Sequence, residues 1–203
     1  MPANPNSPFG FRYVGRRDGS PPNFGNRVGY IANSNTNKIF TGDVLKPLAG
    51  GFYDVFTAPV VGGAPIGGVA GWFKWVSVSQ NKSVWQNWWP GAADSAGANP
   101  VQCDLYADPF EVLQVQCLLG PIANTSVGSN ANFNVGGGGP TFGAGNQSSF
   151  SLDDGTLGTG ASLPFKVYAL PNYSPDNPLL AQAGYDSTQA YNQVLVTINN
   201  LVA

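Results

Sequence analysis

Along residues 111–119 apolar and amide side chains take turns. Leu113, Val115, Cys117 and Leu119 fall on one side of an extended chain, and Gln114 and Gln116 on the other. That two-residue period is the mark of a half-buried strand. SLPFKVYAL repeats it with Leu163, Phe165, Val167 and Ala169, and NQVLVTINNLVA with Val194, Val196, Ile198 and Val202. The longest run, GGVAGWFKWVSVS, is apolar on both sides: Val69, Phe73 and Trp75 on one, Trp72, Val76 and Val78 on the other. A strand with two apolar faces is either central to a sandwich core or a contact for another subunit. Shorter β runs fall in KIFTGDVLKPL, GGFYDVFTA, SVWQNWWPG and PVQCDLYADP, each bounded by Gly or Pro. Such spacing predicts an all-β fold: a small barrel or sandwich, jelly-roll-like or β-tulip-like.

Two segments break the pattern. Residues 1–37 hold Pro2, Pro5, Pro8, Pro21 and Pro22, which disfavour helix and central strand alike, and the turn-rich RRDGSPPN. They read as an extended N-terminal arm preceding a body over 38–203. The arm carries Phe9, Phe11, Tyr13, Phe24 and Tyr30, more rings than a free tail has use for. Residues 123–162, rich in Gly, Ser, Asn and Thr around VGGGGPTFGAG, read as a loop or long hairpin with little of its own to bury. NYSPDNPLL reads as a turn, with one helical turn after Pro178.

Composition sharpens this picture. Only 10% of the 203 residues are charged, and Glu111 is the single glutamate. The long-chain helix formers are scarce, while an aromatic content of 12% argues against disorder. All four arginines (Arg12, Arg16, Arg17, Arg27) lie in the first 29 residues, giving that stretch +3 and the remainder −5. No long same-sign block suggests nucleic acid. No run of 18 apolar residues suggests a membrane span, and the opening residues lack the basic-then-apolar order of a secretory signal. Cys103 and Cys117 are expected to be buried free thiols, with a bridge between neighbouring strands as the other possibility.

Candidate chemistry is thin. The chain has no histidine, which removes Ser-His-Asp and Cys-His nucleophiles and His-dependent metal sites. Neither metal nor cofactor is expected. Asp104 with Glu111, or Asp153 with Asp154, are the acid pairs one would consider for glycoside chemistry, but Asp153-Asp154-Gly155 and Asp108-Pro109 read as turns. The GGGG at 136–139 lacks the following helix and lysine of a phosphate cradle. The tryptophans Trp72, Trp75, Trp85, Trp88 and Trp89 read as core plus interface, or alternatively as a sugar platform. An enzyme is not expected.

Five stretches, in order, resemble one family. SPFGFRYVGRRDGSPPN is similar to the FGFRPV-x-x-x-x-G-x-P opening of capsid cement, or decoration, proteins of tailed bacteriophages. TGDVLKPLAGG resembles their Gly-Asp-Val stretch. GGVAGWFKWVSV followed by NWWPG resembles their GVF-x-G strand and YWPAG-like turn. DLYADPFEVLQVQ is similar to DDP…FEVQ, and LPFKVYALPNYSPDNPL with VLVTINN to LRVLGL…PDN…VRINN. Tyr13 stands where proline is usual, and 123–162 is an insertion. The resemblance implies a non-enzymatic protein on the outer surface of the virion head, made in the bacterial cytoplasm. It would bind the major capsid protein and its own copies, as a homotrimer or a dimer, and hold capsomers against DNA pressure. Contacts are expected at Phe9, Phe11, Arg12, Tyr13, Arg16, Arg17, Phe24 and Arg27 of the arm, laid over a neighbour, and at Trp72, Trp75, Trp85, Trp88 and Trp89. The alternative is a carbohydrate- or receptor-binding module of a phage surface or tail fibre. A major capsid protein is disfavoured, for want of a long spine helix.

Overall fold

The computed structural model describes residues 4–20, 27–97, 99–136, 146–171 and 186–202. Phe24, the centre of the Gly-rich stretch at 137–145 and the NYSPDNPLL turn fall outside them. The strands are β1 (Arg12–Arg16), β2 (Arg27–Ile31), β3 (Ile39–Phe40), β4 (Val44–Pro47), β5 (Tyr53–Val55), β6 (Gly68–Ser77), β7 (Lys82–Gln86), β8 (Trp88–Trp89), β9 (Val101–Tyr106), β10 (Glu111–Gln116), β11 (Asn130–Asn134), β12 (Ser151–Gly158), β13 (Phe165–Ala169) and β14 (Gln193–Ile198). One sheet has the order β1-β10-β14-β13-β11-β12; the other runs β2-β9-β6-β4-β5 with β7 also on β6; β3 and β8 form a small third ladder. The two large sheets pack together as an antiparallel all-β sandwich.

It is not a closed barrel. The second sheet curls until Tyr30 of β2 and Phe52, beside β5, meet in one parallel bridge. A single bridge is no ladder, so the sheet stays open.

The two-residue period does what it promised in the core. Leu113, Val115 and Cys117 point inward from the β10 region, Val194, Val196 and Ile198 from β14, and Phe165 and Val167 from β13. Leu119 departs: β10 ends at Gln116, and Leu119 is exposed beyond it. In β13 a register shift after Val167 turns the inward position from Ala169 to Leu170. Both sheets feed one buried cluster, with Phe133 edge-on to Phe165 and Trp75 edge-on to Trp89 at 5.4 Å.

The arm reading of 1–37 does not hold for the described residues. Phe11 is 0% exposed and stacks on Phe165 at 4.1 Å. β1 pairs with β10, and β2 with β9. Upstream, Ser7 N–H donates to Gln116 Oε1 at 3.0 Å, and Gln116 Nε2 donates to the Pro5 carbonyl at 2.8 Å. Asn4 Nδ2 donates to the Asp186 and Ala190 carbonyls. The physical reason is that β1 is an edge strand, which needs pairing on one side only and so tolerates prolines just before it. Gly10, at φ +76°, makes the turn that delivers Phe11; a Cβ there would collide with Ser148 and the Gly42 carbonyl.

The 123–162 stretch holds the hairpin alternative of the expectation, but it buries far more than expected. β11 and β12 pair within it, and Ala131, Phe133, Phe150 and Leu152 are all core. Asp153 and Asp154 lie inside β12, not in a turn.

Candidate functional site

The register of the second sheet assembles a surface that no single stretch of sequence displays. On β6, alternation turns Phe73, Trp75 and Ser77 inward and Trp72, Lys74 and Val76 outward. Tyr30 is paired with Gln102, Gln102 with Lys74, and Lys74 with Trp85. These four side chains form one row across β2, β9, β6 and β7, roughly 14 Å long at the usual strand spacing. Val28, Val76 and Val78 flank it, all exposed. Trp72 is 44% exposed and Trp85 52%. Isolated exposed apolar residues are ordinary; here Trp72, Val76, Val78 and Trp85 share one face of the β6–β7 hairpin, with Lys74 and Gln102 among them, which makes this mixed face a candidate contact.

Residues 92–97, which open with a short 3-10 turn, border the row together with Asn99 and Pro100. Ala96 N–H donates to the Val76 carbonyl at 2.8 Å. Asp94 pins the loop down: its carboxylate accepts from Trp75 Nε1 at 3.2 Å, from the Ser77 hydroxyl, and from Ser79 N–H at 2.9 Å. Partial burial would raise this carboxyl, but those donors outweigh it and hold it below the usual range. Between loop and strands lies a concavity of about 370 Å³ lined by Tyr30, Lys74, Val76, Ser83, Asn99 and Gln102.

A second concavity, about 300 Å³, opens where β1 approaches β6 and is lined by Phe9, Arg12, Thr41, Trp72, Asn87, Asn146 and Gln147. The Arg12 guanidinium lies over the Phe9 ring, 5.0 Å from its centroid. Thr41 N–H donates to the Asn87 carbonyl and Thr41 Oγ1 to the Gly71 carbonyl, so the floor is tied to the sheet.

Of the expected contact residues, Phe9, Arg12 and Trp72 thus converge, and Trp85 lies on the same sheet face. Phe11, Trp75 and Trp89 do not belong to a contact surface: all three are core. Trp88 is half-buried and stacks on Phe40. Tyr13 stacks on Tyr106 at 5.3 Å. Arg16 is consumed internally, with Nη1 to Asp108 Oδ2 at 2.8 Å and a second pairing to Asp18. Arg17 lies over Phe110, 4.3 Å from the ring centroid. Arg27 is exposed on β2. Val28 and Tyr30, read as arm, turn out to flank the row or lie in it. Only the β2–β9 register, set between residues some 70 apart, could have placed them.

Three buried groups complete the inventory. Cys103 and Cys117 are free, and burial pushes both thiols well above their ordinary range, so neither is a ready nucleophile. Asp43 is buried; Oδ2 accepts the Phe40 N–H at 2.8 Å, while Oδ1 has no hydrogen-bond partner among the described residues. Burial raises its carboxyl to about 7, offset only in part by the Ser148 hydroxyl and the Phe40 amide. Three of the four acids considered from sequence hold backbone amides, Asp153 that of Gly155. Glu111 Oε2 accepts the Asp108 N–H, and Asp154 accepts the amides of Leu119 and Gly120. Among the described residues no group of three His, Cys, Asp or Glu side chains converges. No family model, curated protein or solved structure matches this chain.

Proposed function

We propose that this chain is a structural protein of a tailed-bacteriophage virion, seated on the outer surface of the mature head, where it cements capsomers against the pressure of packaged DNA. The observation that carries this reading is the uncovered aromatic and aliphatic face of the second sheet. It is built largely from GGVAGWFKWVSV and the strand after it, and the former is one of the stretches that resemble cement proteins. The face, and not the N-terminal segment, is then the surface offered to the major capsid protein or to sister copies in a homotrimer or dimer.

The mechanism is mass action. A protein that binds the assembled shell and not its dissociated parts stabilises the shell by its binding free energy. Copies that also touch one another gain further from the high local concentration on a lattice. Burial of the exposed face stabilises each contact by roughly 25 cal/mol per Å² of apolar area before the costs of ordering.

Add-back to expanded heads lacking the protein tests this. Wild-type protein is expected to saturate a fixed number of sites and raise the temperature at which heads rupture. A Val76→Ser/Trp85→Ser variant, folded by circular dichroism, is expected to lose about 2 kcal/mol or more of affinity if those side chains sit at the contact centre. Folded wild-type protein that leaves heads bare would refute the proposal.

A further inference from the structure

The concavity between Phe9 and Trp72 has the chemistry of a ligand site, and apart from Thr41 its polar side chains are unspent among the described residues. Among the described residues the ion pairs are those of Arg16 with Asp18 and Asp108, and of Lys46 with Asp54. Arg12 therefore has no carboxylate partner there, yet it is not loose, because the Phe9 ring holds its guanidinium. The side-chain amides of Asn87, Asn146 and Gln147 make no hydrogen bond to any described residue. Each carries a carbonyl acceptor and two N–H donors, and all three residues line the same space. Trp72 supplies a wide exposed ring on a rigid central strand.

We propose that this concavity binds a carboxylate-bearing sugar, of the uronic or sialic acid kind. An Arg fork matches a carboxylate with two parallel N–H···O bonds. Three carboxamides match a ring of hydroxyls, which likewise both donate and accept. The apolar C–H face of a pyranose suits the face of Trp72, while Phe9 keeps Arg12 in place behind it. Pockets that take small polar ligands combine aromatic walls with a few convergent polar groups in this way. An acidic peptide would also satisfy Arg12, and its backbone could pair with the amides, but it brings no pyranose C–H face to Trp72. Trp72 also belongs to the outward face of β6, but the concavity opens beside β1 and uses neither Tyr30, Val76 nor Trp85.

Calorimetric titration of the full chain with trigalacturonate and with 3′-sialyllactose tests it, with maltotriose and lactose as neutral counterparts and a hexaglutamate peptide as the rival anion. At least one acidic saccharide is expected to bind, and to bind better than its neutral counterpart. Arg12→Gln, an exposed change on an edge strand, is expected to weaken binding on the order of tenfold or more. Trp72→Ala is expected to abolish both the heat and the accompanying change in tryptophan fluorescence. Val61→Ser, at a highly exposed position outside the concavity, is expected to leave binding unchanged and so reports that the fold is intact. The proposal is overturned if neither acidic saccharide binds, if neutral sugars bind as well, if Arg12→Gln binds undiminished, or if hexaglutamate is preferred.

Discussion

At the scale of single residues, Asp43 is the most consequential polar group in the core. Its Oδ1 is buried without a partner among the described residues, and burial lifts the carboxyl from its usual value near 3.8 to about 7. A carboxyl whose folded value is raised holds its proton more tightly in the native state than in the unfolded one. Its stabilising contribution is therefore complete below about pH 4 and is lost as pH rises through 7. Asp43→Asn removes the titration while keeping an acceptor for the Phe40 N–H. Urea unfolding should then show the variant gaining on wild type between pH 5 and pH 8, by an amount on the order of 2–3 kcal/mol; parallel stabilities across that range would contradict the assignment. The two thiols make a simpler case. Cys103 and Cys117 are buried and free, so a thiol reagent such as DTNB should titrate both in denaturant and neither at useful rates in buffer.

At the scale of elements, the informative strand is β1. As an arm, residues before Arg27 would be removable with little effect on the body. As the edge of the first sheet they carry Phe11, which fills the space beside Phe165 and Phe133. Phe11→Ala should cost about 3–5 kcal/mol. Deleting residues 1–16 should lower the unfolding midpoint sharply or prevent folding, whereas a midpoint within error of wild type would restore the arm. The same strand explains what could be read from the chain and what could not. Alternation is local, so the inward faces of β10, β13 and β14 were legible from Leu113, Val115, Phe165, Val167, Val194 and Val196. Edge pairing is not local: nothing near Phe11 announces β10, a hundred residues on, and prolines argue against a strand there. The low-complexity composition of 123–162 likewise hid Phe133 and Phe150, because composition averages over the few positions that alternate. The candidate surface was half visible. Trp72, Val76 and Val78 share a face by parity alone, but Tyr30 and Gln102 join them only through long-range register.

At the scale of the whole molecule, the balance is between an apolar outer face and a weakly charged body. A formal charge of −2 over 203 residues provides little electrostatic repulsion between copies. The exposed aromatic and aliphatic side chains of the second sheet provide a reason for them to meet. Were the contact made instead by the basic N-terminal stretch against the acidic body, it would weaken as salt is raised past the Debye regime. Apolar burial is insensitive to sodium chloride or strengthened by it. Sedimentation of the purified chain over a wide concentration range should therefore show reversible self-association that persists at 1 M sodium chloride. Val76→Ser/Trp85→Ser should shift the equilibrium toward monomer with little change in unfolding midpoint, because both side chains are already exposed. Association that dissolves in high salt would place the contact on Arg12, Arg17 or Arg27. A chain that stays monomeric throughout would mean that the face meets only a different protein, such as the shell.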